Sequence, residues 1–87
     1  MEEINQIINI KDRKNISISG VKKVENFDEK EFLLSTNMGF LKINGSSLEI
    51  VKLDTLKGDL SIKGKINLLM YVDNNKNKES FINKLFK

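Results

Sequence analysis

The sequence predicts an all-β fold, a small antiparallel sheet or roll of about six or seven short strands with a short C-terminal amphipathic helix. Three observations carry that expectation. The stretch from Asn37 to Gly45 holds one alternating strand, with Leu41 and Ile43 on one face and Lys42 on the other, set between hairpin signals at Gly39 and at Asn44-Gly45. The pattern apolar, polar, apolar, polar, Gly occurs in Ile16 to Gly20, in Leu41 to Gly45 and in Leu60 to Gly64, each time followed by further apolar residues. The glycines closing these units stand 25 and 19 residues apart. That spacing is too uneven for a solenoid of fixed period, so a folded-over sheet is favoured and a short β-solenoid is the alternative.

Eighty-seven residues make one domain with a modest core. The chain contains neither Cys nor His. Disulfides, thiolate or imidazole metal sites and nucleophile–histidine pairs are thereby excluded, which leaves carboxylate, Lys or Tyr chemistry as the enzymatic routes. The net charge is +3, and all of the 15 basic residues except Arg13 are Lys. Nucleic-acid readers lean on Arg forks and clustered basic faces. Here Lys22, Lys30, Lys42, Lys52, Lys57, Lys63 and Lys65 alternate with carboxylates and read as solvated strand faces. No apolar run approaches the roughly 20 residues of a membrane span, and no secretory signal leads the chain. The expected location is the cytoplasm.

Taken in order, residues 1–15 form an N-terminal segment whose type stays open, because Ile4, Ile7, Ile8 and Ile10 fit a helical face almost as well as a strand. Lys11-Asp12-Arg13-Lys14-Asn15 reads as a solvated polar linker, with a nucleic-acid arm as the sharper alternative. The β-domain is expected over residues 16–72. Phe32 to Thr36 supplies the strand that pairs with the Leu41 segment, approached through the charged turn Phe27 to Glu31. Glu25, Asp28, Glu29 and Glu31 lack the alternating ligand spacing and glycine of a calcium loop, so they read as a solvated hairpin approach. Leu48 to Leu53 and Asp59 to Lys63 are the next strands, joined by a loop whose Gly58 suits a bulged hairpin. The expected core is Leu33 or Leu34 with Leu41, Ile43, Leu48, Ile50, Leu60, Ile62 and Ile66.

Lys65 to Val72 is apolar on both sides, with Ile66, Leu68, Met70 and Val72 on one face and Leu69 and Tyr71 on the other. In so small a domain the second face is expected to meet a second subunit or a partner; the first makes Leu69 and Tyr71 candidate self-association residues and the protein a homo-oligomer. Residues 73–77 form a polar spacer, and residues 78–87 an amphipathic helix with Phe81, Ile82, Leu85 and Phe86 as one stripe. A helix of about ten residues is marginal alone in water. Docking on another protein or a membrane surface through Phe81, Ile82, Lys84, Leu85, Phe86 and Lys87 is expected; the alternative is that it packs back on its own sheet.

From roughly Arg13 to Lys87 the chain resembles the YabP/YqfC family of sporulation proteins of endospore-forming bacteria. The resemblance rests on Ser19-Gly20-Val21-Lys22-Lys23-Val24-Glu25 with Phe27-Asp28, on Glu31-Phe32-Leu33-Leu34 with Met38-Gly39-Phe40-Leu41, and on Ile43 and Gly45. It continues through Leu60-Ser61-Ile62-Lys63-Gly64-Lys65-Ile66, Tyr71 and Lys84-Leu85-Phe86-Lys87. It implies a small non-enzymatic protein of the mother-cell compartment, working at the forespore surface in coat and cortex assembly. Other sporulation proteins would be its partners, including a membrane protein such as YabQ. An interaction or scaffold role without cofactor or metal is thus the leading expectation. The rival is a small basic β-barrel binding single-stranded nucleic acid, against which the placement of Phe27, Phe32 and Phe40 near turns argues.

Overall fold

The computed structural model describes residues 5–73. Their regular structure is β1 (Ile8–Lys11), β2 (Asn15–Ile18), β3 (Val21–Phe27), β4 (Glu31–Thr36), β5 (Gly39–Asp54) and β6 (Asp59–Val72). These form one six-stranded sheet in the order β1-β2-β6-β5-β4-β3, antiparallel at every pairing. The expected all-β sheet is present, and its topology is not that of a solenoid. The helix expected over residues 78–87 lies outside the described residues.

β2 and β3 stand four places apart in that order, yet only Ser19 and Gly20 join them. In a flat sheet the gap would be about 19 Å at some 4.8 Å per neighbour, whereas three Cα steps reach about 11 Å. The sheet therefore curls until its ends meet. Val21 N donates to Gly58 O and Asn37 N to Gly20 O, both at 2.9 Å, and these bonds close the seam.

The curl is made within β5 and β6, of 16 and 14 residues, each of which serves two layers. One layer contains β3, β4, the first half of β5 and the second half of β6; the other contains β1, β2, the first half of β6 and the second half of β5. Register shifts at Asn44/Gly45, Ser46/Glu49 and Ile50/Lys52 mark the bends. The hairpin expected at Asn44-Gly45 does not form, because β5 continues through these residues with a bend. A Cβ on Gly45 would lie 2.0 Å from Lys65 O, so this glycine permits the close approach of two backbones and not a turn.

Bending strips backbone N–H groups of their ladder partners, and the tips of the two short hairpins replace them. Gly45 N and Leu48 N donate to Lys30 O and Glu29 O at 2.9 and 2.8 Å; Gly64 N and Ile66 N donate to Lys14 O and Arg13 O, both at 2.9 Å. Lys11 to Asn15 is thus a hairpin tip and not a linker, turned by Asp12 and Arg13 at φ 56° each. The sheet accordingly begins at Ile8, ahead of the expected boundary at Ile16.

The core is a single cluster. Ile16, Ile18, Leu60 and Ile62 come from one layer, Phe32, Leu34, Leu41 and Ile43 from the other, and Val21, Leu48 and Ile66 join them. Of the residues expected there, Ile50 is only partly buried. Leu33 and Leu34 are both fully buried, but only Leu34 belongs to this cluster.

Candidate interaction surfaces

The strand registers define two outward faces of opposite character. On the layer containing β4, the outward rows are Glu31, Asn44 and Leu68; Leu33, Lys42 and Met70; and Ser35, Phe40 and Val72. They alternate with rows such as Phe32, Ile43 and Leu69, which turn to the core. On the β3 side Asn26 extends the Leu33 row and Lys23 the Ser35 row; the apolar side chains Leu33, Phe40, Leu68, Met70 and Val72 are thus interspersed with polar ones, and Leu68 and Met70 are 39 % and 40 % exposed. On the layer containing β2 the outward rows are Lys11, Asn15, Lys63 and Glu49, and Asn9, Ser17, Ser61 and Lys52. Every side chain in them is polar.

Of the two expected self-association residues, Leu69 packs against the core and Tyr71, 41 % exposed, donates its hydroxyl hydrogen to Gln6 Oε1. The cause is a bulge. Gly45 pairs with Ile66 but Asn44 with Leu68, so Asn67 is an extra residue that reverses the alternation of faces. Ile66 and Leu69 therefore share the inner side, and Leu68 and Met70 turn outward. Phe81, Ile82, Lys84, Leu85, Phe86 and Lys87 lie outside the described residues.

A second surface was hidden in the sequence. The tip of the β1–β2 hairpin and the bend of β6 together form an open groove of about 610 Å³, lined by Asp12, Arg13, Lys14, Asn15, Lys63, Gly64 and Lys65. Four cations meet one carboxylate there. The Arg13 side chain is held in place, its Nε donating to Ile66 O at 3.0 Å and Nη2 to Asn67 Oδ1 at 2.9 Å. Lys14, Lys63 and Lys65 are exposed. Sequence reading treats the two basic segments as separate solvated stretches, because only the pairing of β2 with β6 brings them together. Among the described residues Phe27, Phe32 and Phe40 lie elsewhere, with Phe27 stacked on the buried Phe32 at 5.2 Å between ring centroids and Phe40 on the outward side of the β4 layer.

The carboxylates near the second hairpin organise its turn. Asp28 Oδ1 accepts from Lys30 N at 2.7 Å and from Glu31 N at 2.9 Å, as an Asx turn does. Glu25 Oε1 lies 3.9 Å from Lys23 Nζ, a long contact between a largely exposed Lys side chain and a Glu side chain that is only 9 % exposed. Among the described residues no group of three or more Asp or Glu side chains is placed to hold a metal ion, and no helix is long and apolar enough to cross a membrane.

Comparison with known proteins adds two findings. A family model described as the YabP family matches residues 2–78. The chain is also 46 % identical over 82 residues to the spore protein YabP of Bacillus subtilis (strain 168), an alignment covering 92 % of this chain and 82 % of that protein.

Proposed function

Because the chain belongs to the YabP family, we propose that it is a sporulation protein acting as a non-enzymatic interaction module. It works in the mother cell, at the forespore surface, where coat and cortex are assembled, and it associates with other copies of itself and with other sporulation proteins. The observation that carries this reading is the basic groove. Arg13 is fixed by two hydrogen bonds, while the side chains of Lys14, Lys63 and Lys65 are exposed and line the groove. A preset cluster of like charge raises the association rate with an acidic surface and sets its orientation.

The experiment is charge reversal in sporulating cells. A variant with Lys14→Glu, Lys63→Glu and Lys65→Glu keeps its β-sheet circular dichroism and melts within a few degrees of the parent, since all three side chains are exposed. It should no longer co-purify with the proteins that the parent captures or gather at the forespore, and capture by the parent should weaken as salt rises. A folded variant that captures the same partners and localises normally would refute the role of the groove.

A further inference from the structure

The outward face of the β4 layer carries Leu33, Phe40, Leu68, Met70 and Val72 in three adjoining rows, the last four side by side on β5 and β6 and Leu33 across Lys42 from Met70. Monomeric proteins seldom leave a contiguous apolar patch of more than a few hundred Å² in water. The polar outward face of the opposite layer shows that this chain can build a solvent-facing sheet surface where one is wanted. Two features mark part of this face as covered, although Leu68 and Met70 keep 39 % and 40 % exposure. Leu33 is 0 % exposed although it points away from the core and stands outside the core cluster. Asn44 Oδ1, in the neighbouring row, is shielded from solvent and has no hydrogen-bond partner among the described residues.

The geometry points to residues 78–87 of the same chain as the cover. β6 ends at Val72, itself a member of the outermost row of this face, so the chain leaves the sheet at the edge of the patch. Residues 74–77 add about 13 Å of reach when extended, enough to reverse direction. The ten residues that follow would span about 15 Å as a helix, against about 13 Å by 10 Å for three alternate rows on three strands. Their stripe of Phe81, Ile82, Leu85 and Phe86 matches the face in character, and Asn83 and Lys84 bring donors that the Asn44 oxygen lacks. This assignment is independent of the basic groove, which lies on the other layer.

The chain contains no Cys, so an introduced pair forms the only possible disulfide. Met70→Cys combined with Leu85→Cys should oxidise within one chain about tenfold faster than two controls. One control is Ser17→Cys with Leu85→Cys, on the polar face; the other is Met70→Cys with Ser80→Cys, whose position opposes the apolar stripe. Equal rates, or a bond formed only between chains, would overturn the assignment, the latter in favour of a second copy on the face. Truncation after Asn77 gives a separate reading: the melting temperature should fall by about 5 °C or more and the trimmed protein should bind an apolar dye. An unchanged melting temperature would leave the segment to an external partner and would likewise overturn the proposal.

Discussion

One methyl group is enough to probe how closely β5 and β6 approach. At Gly45 an added Cβ would meet Lys65 O at 2.0 Å and Leu48 Cδ2 at 2.9 Å. The first of these is backbone and cannot swing aside, so the two strands would have to part where both bend. Gly39 makes the contrast: its φ is 119°, but among the described residues the nearest atom to a new Cβ is Asp73 Oδ1 at 3.5 Å, an ordinary contact, so the penalty there is conformational. Gly45→Ala should cost about 3 kcal/mol, and Gly39→Ala about 1 to 2 kcal/mol. Urea midpoints of the two variants decide the matter, and equal losses would show that close approach is not what Gly45 supplies.

At the scale of elements, the short hairpins act as braces for the bends of the long strands. The β1–β2 tip is anchored to β6 by the Gly64 and Ile66 amides and by the Arg13 guanidinium, which spans Ile66 O and Asn67 Oδ1. Arg13→Ala should therefore cost about 1 to 2 kcal/mol, and Arg13→Lys should not restore it, since an ammonium does not reproduce the planar fork. Hydrogen exchange at Gly64 and Ile66 should speed up in Arg13→Ala while the β4–β5 amides keep their protection. Unchanged exchange at both positions would mean that the side chain braces nothing.

These elements differ in how plainly the sequence announces them. Leu41 with Ile43 and Leu60 with Ile62 are readable because period-two alternation is local. Asn44-Gly45 misleads because a glycine needed for close approach and one needed for a turn look alike in sequence. Leu69 changes faces through a single extra residue at Asn67, which alternation carried straight on from Ile66 passes over. The basic groove depends on the pairing of Asn15 with Lys63, residues far apart in the sequence that meet only when β2 lies beside β6.

For the whole molecule, the decisive fact is that two layers share one core. Leu41 lies in the layer of β4 and Ile62 in the layer of β2; each is fully or almost fully buried, and both belong to the same cluster. Because β5 and β6 run through both layers, neither layer can open without breaking the ladder of the other. A small domain joined in this way should unfold in one cooperative step. Its formation needs β2 to find β6 across about half of the chain, which places folding among the slower, non-local topologies. Leu41→Ala and Ile62→Ala should each lower stability by about 2 to 5 kcal/mol. In both variants far-UV circular dichroism and Tyr71 fluorescence should report a single shared midpoint, shifted in the same direction and with the urea slope unchanged. Losses no larger than those of exposed-site changes would remove both residues from the core. Two separated transitions in either variant would show that the layers are stable one without the other, and the account of one curled sheet closed at Gly20 would fail.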